Sequence, residues 1–280
     1  MSEVNNFTKE KEFLICIDSD GSAIDTMTEK HRKAFGPEAV RVWGLEEIEE
    51  DFLQHWNKVN LYSNTRGINR FKGLVNTFKD LKTRGYEMPE INNIEEWTEK
   101  SGELSNSALN KEIKKGNDYE DLKLALKWSQ QVNQTISELK KDRAKVFTGV
   151  KKSLSKITER ADLAVVSSAN QEALLDEWEC YDLKRYVKVI FGQEAGSKAE
   201  NIKNLKAKGY DNSKILMLGD APGDLRAAEI NNVLFYPIIP SEEKESWQKF
   251  AEKAADKFFE GDYQGKLEKQ LIKKFNFILK

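Results

Sequence analysis

Five short apolar segments constrain the fold of this chain more than any other feature. They are rich in β-branched and aromatic residues and have the length of buried strands. They lie at residues 13–17, 163–166, 187–191, 215–218 and 233–236. Helical patterns separate the last four, at residues 171–178, 199–208 and 224–230. Strands that alternate with helices predict an α/β protein with a doubly wound, Rossmann-like parallel sheet.

A long helical stretch interrupts this alternation after the first strand. Between residues 28 and 142, apolar residues recur at spacings of three and four, as in GLEEIEEDFLQHW and RFKGLVNTFKDLKTRG. This spacing is typical of amphipathic helices, and no segment of the stretch has strand character. The pattern predicts an all-helical cap domain at residues 27–144. It would be inserted into a core domain made of residues 1–26 and 145–280.

The C-terminal segment, residues 241–280, also has helical character. It carries aromatic residues that we expect to pack on the core, because large aromatic side chains are mostly buried. These residues are Trp247, Phe250, Phe258, Phe275 and Phe277. The segment is therefore predicted to be a helical extension of the core domain.

Composition and charge exclude several classes of protein. The 280 residues include 45 Lys and Arg against 47 Asp and Glu, so no excess charge would recruit nucleic acid or an anionic membrane. Two cysteines, Cys16 and Cys180, form no disulfide framework and suit a reducing compartment. The start of the chain has no apolar secretory segment. We therefore expect a cytoplasmic protein without nucleic-acid or membrane partners, and its oligomeric state stays open.

Acidic residues follow two of the predicted strands directly. Asp18 and Asp20 lie in the string ICIDSDGS, and Asp220 and Asp224 lie in LMLGDAPGD. Parallel strands end at the same edge of the sheet, so these carboxylates could meet there. Neighbouring carboxylates resist joint ionisation unless a cation lies between them or one stays protonated. Each string alone also fits an ordinary Asp-rich turn or a helix N-cap.

A hydroxyl group and a lysine are predicted at the same edge. Ser167, followed by Ser168, comes directly after the apolar run LAVV, and Lys198 precedes a predicted helix. Taken singly, these residues are as easily explained as a plain loop and a solvated surface charge. Carboxylate ligands without His or Cys suit a hard cation such as Mg²⁺, which is usually held together with substrate phosphate. The combination predicts a Mg²⁺ site that handles phosphate groups.

The ordered motifs resemble those of the haloacid dehalogenase superfamily. The matching elements are DSDGS at residues 18–22, Ser167, Lys198 and GDAPGD at residues 219–224. The segment VFTGVKKSLSKI is similar to the return from cap to core in the phosphoglycolate-phosphatase-like and beta-phosphoglucomutase-like subgroup. Ser22 stands where Thr is usual in the family, and a Ser hydroxyl can do what a Thr hydroxyl does. The resemblance covers the core but not the cap or the tail.

The resemblance implies a phosphatase that works through a covalent intermediate. Asp18 would be the nucleophile that forms an aspartyl-phosphate, and Asp20 would be the general acid and base. A dehalogenase needs no acid at position 20, so the chain does not resemble one there.

The resemblance also implies a set of ligands for the metal and the phosphate. Mg²⁺ would be held by Asp18, by the backbone carbonyl of Asp20 and by Asp220, with Asp224 assisting. The equatorial phosphate oxygens would be bound by Ser167 and Lys198, with Ser168 as a further phosphate ligand. The substrate would be a small phosphorylated metabolite, such as a sugar phosphate or a phosphoglycolate-like acid.

The loop NLYSNTRGINRFKGL supplies candidate substrate contacts in the predicted cap. Arg66 and Arg70 lie on either side of Gly67. Arginine suits bidentate recognition of phosphate or carboxylate groups. The alternative is a helix–helix turn with solvated cations, which is common.

Other functions fit the same residues. A sugar phosphomutase of the same superfamily keeps both acids, and it would be distinguished by isomerised phosphosugar without phosphate release. A non-catalytic phospho-ligand-binding protein or phosphorylation switch would use the same pocket. Receiver domains also combine an Asp cluster, a hydroxyl and a lysine around Mg²⁺, but their chains are shorter and lack an inserted helical module.

Overall fold

The computed structural model describes residues 7–116, 119–139 and 145–280. The chain forms two compact units. Met1–Thr26 and Ala144–Lys280 make one of them, which we call the core unit. Met27–Arg143 makes the other, which we call the helical unit.

A five-stranded parallel sheet forms the centre of the core unit. Its strands are β1 (Phe13–Ile17), β2 (Ala161–Val166), β3 (Val189–Phe191), β4 (Ile215–Gly219) and β5 (Leu234–Pro237). They lie in the order β3-β2-β1-β4-β5, and all neighbouring pairs are parallel. The chain first builds the sheet to one side of β1 and then to the other. The carboxyl end of β1 is thus at the position where sheets of this kind bind ligands.

Helices of the described residues fall between these strands and beyond them. In chain order they are α1 (Thr26–Lys30), α2 (Gly36–Trp43), α3 (Glu49–Leu61), α4 (Arg70–Thr83), α5 (Asn92–Lys100), α6 (Asn106–Lys114), α7 (Glu120–Glu138), α8 (Val150–Ile157), α9 (Gln171–Cys180), α10 (Lys198–Lys206), α11 (Pro222–Asn231), α12 (Glu243–Lys249), α13 (Ala255–Glu260) and α14 (Lys266–Ile278). The π-helical segment His31–Phe35 joins α1 to α2, and Phe250–Ala254 joins α12 to α13.

Alternate side chains of the strands point into two separate apolar cores. Ile15 and Ile17 of β1 belong to one core, which is covered by α8, α9, α12 and α13. Leu14 and Cys16 belong to the other, which is covered by α10, α11 and α14. This division follows from the two-residue period of a strand. The prediction of a doubly wound α/β core is therefore confirmed, with strand ends that differ from the predicted ones by up to two residues.

The helical unit packs its helices around an aromatic core. Trp43, Trp56, Trp97 and Trp128 are all buried in it. The indole N–H of Trp128 donates to the carbonyl oxygen of Phe35 at 3.0 Å. Residues 27–116 and 119–139 contain no strand, which confirms the all-helical prediction for this part of the chain. Among the helices that the structure describes, none is long and apolar enough to cross a membrane.

The chain leaves the core unit and returns to it through two segments that lie side by side. The N–H of Asp25 donates to the carbonyl of Lys145 at 2.8 Å, and the N–H of Phe147 donates to that of Ala23 at 3.1 Å. Residues 24 and 146 thereby form an antiparallel bridge. The two ends of the insertion are thus fixed next to each other on the core.

The C-terminal extension, α12 to α14, packs on the sheet. Four of the five aromatic residues expected to anchor it are buried, namely Trp247, Phe250, Phe258 and Phe275. The prediction is wrong for Phe277, whose side chain is 77% exposed. Phe275 faces the sheet, and a residue two positions further along a helix points to nearly the opposite side.

Candidate active site

A tight turn follows β1 at the centre of the sheet edge. The N–H of Asp18 donates to the carbonyl of Leu218 at 2.9 Å, which continues the pairing of β1 with β4. The carbonyl of Ser19 then accepts the N–H groups of residues 22–24 at 2.9 to 3.2 Å. Gly21 has a φ of +83°, a conformation that favours glycine. The turn therefore fixes residues 18–22 at the carboxyl end of β1.

Three carboxylates meet beside this turn. Asp18, Asp220 and Asp224 are buried, and one oxygen of each lies within 4.8 Å of the others. The hydroxyl of Ser22 donates to the Asp220 carboxylate. Asp20 is placed differently, because its half-buried carboxylate accepts a hydrogen bond from the hydroxyl of Thr26. The structure thus brings three of the four predicted acids within ligand distance of one another, and Asp20 lies outside that group.

Lys198 lies between two of these acids. Its Nζ is 2.9 Å from Oδ1 of Asp18 and 2.5 Å from Oδ1 of Asp224. Lys198 is the first residue of α10, and the start of this helix is fixed by a capping box between Ser197 and Glu200. Such a cap satisfies backbone donors at the helix start and sets where the chain enters the helix. The lysine is therefore placed by local sequence as well as by its ion pairs.

Burial and neighbouring charges shift the ionisation of this cluster. Burial raises the pKa of Asp18, and the Asp224 and Asp220 carboxylates add to this effect while Lys198 opposes it. Burial likewise raises the pKa of Asp224 against the influence of Lys198. For Lys198, burial alone would lower the pKa, but the Asp18 and Asp224 carboxylates raise it above its usual range. The lysine therefore stays protonated among the acids.

The charge of the cluster fits a cation. One oxygen of each of the three buried carboxylates lies close to the others, and the ammonium group of Lys198 contacts two of them, Asp18 and Asp224. The ligand atoms are all oxygens, which hard divalent cations prefer. The Asp18, Asp220 and Asp224 carboxylates are accordingly the residues that could hold a metal ion.

Ser167 and Ser168 lie at the end of β2, the strand next to β1. The N–H of Ser167 donates to the carbonyl of Phe191 at 2.9 Å, and its Oγ accepts the N–H of Ala169 at 3.1 Å. The Ser167 hydroxyl donates to no residue in the described part of the chain, so its proton is available to a ligand. Ser167 is buried and Ser168 is exposed. Phosphate binding by either residue stays a prediction.

The two arginines predicted to contact substrate, Arg66 and Arg70, each donate hydrogen bonds to neutral groups. Arg66 is buried and donates to the carbonyl of Leu61 at 2.6 Å. Arg70 donates to Ser129 and Asn133, and its guanidinium lies 4.9 Å from the centre of the Phe35 ring. Burial lowers the pKa of Arg70 to about 10, so it remains charged at neutral pH. The alternative of two solvated cations is therefore wrong for Arg66, and contact of either arginine with substrate stays a prediction.

Most of the predicted site residues lie in a part of the chain that matches a known protein family. The sequence model of haloacid dehalogenase-like hydrolases matches residues 68–237, which is more than half of the chain. The chain belongs to this family. The matched range includes Ser167, Lys198, Asp220 and Asp224, whereas the turn after β1 precedes it. A comparison of this hydrolase with curated proteins gives no match.

Solved structures of similar proteins come from several bacteria. A predicted phosphoglycolate phosphatase from Haemophilus somnus is 14% identical, with a TM-score of 0.49 over 85% of this chain and 93% of that one. A haloacid dehalogenase-like family hydrolase from Streptococcus pneumoniae is 12% identical, with a TM-score of 0.45 over 84% and 90% of the two chains. At these values the likenesses carry no conclusion about the activity of the present hydrolase.

Three contacts to the turn of this hydrolase were not anticipated from the sequence. The hydroxyl of Thr26 holds Asp20, and the indole N–H groups of Trp178 and Trp247 donate to Ser19 and Ser22. Thr26 follows Asp20 closely in sequence, so a nearby hydroxyl was a usable signal. The two tryptophans are remote in sequence, and no local pattern connects them to the turn.

Gly219 is the residue that lets Asp224 approach the site of the hydrolase. A methyl group at position 219 would overlap the Asp224 side chain. We expect Gly219→Ala to displace this carboxylate and to lower kcat by about 100-fold, the effect of a displacement of about 1 Å at an active site. Steady-state kinetics measures this loss.

Gly223→Ala is the matched control for this substitution. Position 223 has no atom within 4 Å of an added methyl group. We expect this variant to keep the wild-type kcat. Equal activity of the two variants would contradict the assigned role of Gly219.

Proposed function

We propose that this hydrolase is a Mg²⁺-dependent phosphatase that acts on a small phosphorylated metabolite through an aspartyl-phosphate. The observation that carries the proposal is the buried cluster of Asp18, Asp220 and Asp224 at the carboxyl end of β1, with Lys198 paired to Asp18 and Asp224. Membership of the haloacid dehalogenase-like hydrolase family supports the same reaction class.

The metal ligands that we propose are those that the family resemblance implies, and the proximity of Asp18 and Asp220 supports them. Asp18 and Asp220 would hold Mg²⁺ through their carboxylates, and Asp20 through its backbone carbonyl, with Asp224 beside them. When bound, Mg²⁺ supplies positive charge that reduces the repulsion between the Asp18 carboxylate and the substrate phosphate. The Ser22 hydroxyl, which donates to Asp220, would orient that carboxylate.

The covalent chemistry falls to Asp18 and Asp20. A carboxylate oxygen of Asp18 attacks phosphorus, and the bond from phosphorus to the leaving oxygen breaks with its electron pair on that oxygen. Asp20 gives its proton to the leaving oxygen. Asp20 then takes a proton from water as that water attacks the phosphorus of the aspartyl-phosphate, which releases phosphate and restores Asp18. The separation of Asp20 from the acid cluster supports this division of roles.

Binding of the phosphate oxygens falls to the donors around the cluster. Lys198 carries the positive charge nearest to Asp18, and the free proton of the Ser167 hydroxyl can point to a phosphate oxygen. Fixed donors of this kind stabilise the charge that develops during phosphoryl transfer without reorganisation. Exposed Ser168 would add a further donor at the rim.

We assign the helical unit the role of a cap that selects the substrate. The insertion begins shortly after Asp20 in the sequence, and its two ends lie side by side on the core. This placement supports the assignment. Arg70 supports it as well, because no carboxylate of the described residues forms an ion pair with this half-buried cation. Such a cation would suit an anionic group of the substrate. Arg66 would hold the loop in place or add a second donor.

A screen of phosphorylated metabolites tests the proposal. Sugar phosphates, phosphoglycolate and similar acids are incubated with the protein in Mg²⁺ or in excess chelator, and free phosphate is measured. We expect at least one compound to release phosphate in Mg²⁺ and none to do so in chelator. Isomerised phosphosugar without phosphate release would instead identify a mutase. Turnover that persists in chelator would contradict the proposed use of a metal.

A further inference from the structure

Two buried indole groups hold the turn that carries Asp18 and Asp20. Nε1 of Trp178, on α9, donates to Oγ of Ser19 at 2.8 Å. Nε1 of Trp247, on α12, donates to the carbonyl oxygen of Ser22 at 2.8 Å. Both tryptophan side chains are fully buried in the same apolar core. The turn is therefore fixed from two helices that lie far from it in sequence.

The atoms that these indoles hold are closely connected to the acids. Ser19 lies between Asp18 and Asp20, and its carbonyl accepts the three N–H groups that close the turn. Ser22 contacts the cluster directly, because its hydroxyl donates to the Asp220 carboxylate. A displacement of Ser22 would therefore change the position of Asp220.

Trp247 is itself held firmly by its surroundings. The Ser153 hydroxyl donates to the Trp247 carbonyl at 3.3 Å. Gly149 allows close packing, since a methyl group there would lie 3.2 Å from Cβ of Trp247. The preceding residue, Ser246, accepts the N–H of Ile239 with its hydroxyl and the hydroxyl of Tyr236 with its carbonyl. These contacts thus fix the position of the Trp247 indole on the C-terminal extension.

We propose that Trp178 and Trp247 are positioning residues for the metal site, and that the C-terminal extension is for this reason part of the catalytic apparatus. The inference rests on the proposed function only in taking Asp18, Asp20 and Asp220 as the metal ligands. Without the indole N–H, the buried carbonyl of Ser22 would lack its donor, and the turn would shift to recover one. Loss of a group that orients metal ligands typically lowers metal affinity or activity by about 10- to 100-fold.

Conservative variants separate positioning from bulk packing. Trp247→Phe and Trp178→Phe keep most of the ring and remove the N–H donor. Trp128→Phe is the matched control, because this buried indole also donates to a backbone carbonyl but lies in the helical unit. We expect Trp247→Phe to raise the Mg²⁺ dissociation constant, measured by calorimetry, by about 10-fold or more, and to lower kcat more than it changes KM. Trp128→Phe should leave the Mg²⁺ dissociation constant and kcat at their wild-type values.

A spectroscopic measurement on the wild-type protein provides a second test. The ¹⁵N-labelled indole resonances of Trp178 and Trp247 should shift when Mg²⁺ is added, and that of Trp128 should not. Because this measurement needs no variant, it tests the positioning role of the two indoles even where a substitution prevents folding. Unchanged Mg²⁺ affinity in Trp247→Phe, or indole resonances that do not respond to Mg²⁺, would overturn the proposal. A wild-type protein that binds Mg²⁺ with these shifts but releases no phosphate would refute the proposed function alone.

Discussion

Asp18→Asn is expected to abolish turnover of any substrate that this hydrolase accepts. The amide that replaces the carboxylate is a poor nucleophile, so the proposed aspartyl-phosphate would not form. Loss of an enzymatic nucleophile lowers kcat by about 10⁴-fold or more. Phosphate release, measured at saturating substrate and Mg²⁺, gives the size of the effect. Turnover near the wild-type rate would show that another group attacks phosphorus.

The Asp18→Asn variant should remain folded. Burial raises the pKa of Asp18, which means that the site penalises its charge and that a neutral amide is tolerated there. Lys198 keeps its ion pair with Asp224 in the variant. Asp162→Asn is a suitable control, because Asp162 is also buried but binds the backbone N–H groups of Glu10 and Lys11. We expect this control to lose stability and to keep its kcat.

Lys198→Met is expected to combine a large loss of stability with a loss of activity. Removal of the ammonium group leaves Asp18 and Asp224 buried without their cationic partner. Breaking a buried ion pair from one side costs about 3–5 kcal/mol. Urea unfolding in the presence of chelator measures this cost as the free energy of unfolding. Activity should fall as well, because the variant lacks the proposed donor for the phosphate oxygens.

The stability of the Lys198→Met variant should depend on Mg²⁺ more than that of the wild type does. A cation bound by the remaining carboxylates would offset part of their mutual repulsion. A ligand that binds the folded state and not the unfolded state raises the free energy of unfolding. Lys156→Met is the control, since Lys156 forms an exposed ion pair with Asp256. Exposed pairs of this kind contribute about 0–1 kcal/mol. Equal free energies of unfolding for the two variants would contradict the ion-pair role of Lys198.

Local patterns in the sequence were sufficient to predict much of the fold. The apolar runs predicted the strands because a strand buried on both faces leaves a continuous apolar signal. The acids could be grouped because parallel strands end at one edge, which brings Asp18 near Asp220 whatever their separation in sequence. The same argument placed Lys198 correctly beside them.

Other features depend on packing that no local pattern reveals. Trp247 was expected only to pack on the core, and Trp178 was not singled out at all. The folded chain alone shows that their N–H groups reach Ser22 and Ser19. Arg66 read as a solvated cation or a substrate ligand, yet it is buried against the carbonyl of Leu61. The exposure of Phe277 was accessible in principle, because helical periodicity sets it apart from Phe275.

The pairing of residues 23–25 with residues 145–147 has a consequence for how this architecture can vary. The chain between these two segments is an insertion into the core, and the pairing already holds the two ends of this insertion together. The entropic cost of closing a flexible loop rises only with the logarithm of its length. The core can therefore accept inserts of very different size at this one point while the strands stay unchanged. With the insert in its proposed role as a cap, its exchange would alter the substrate preference.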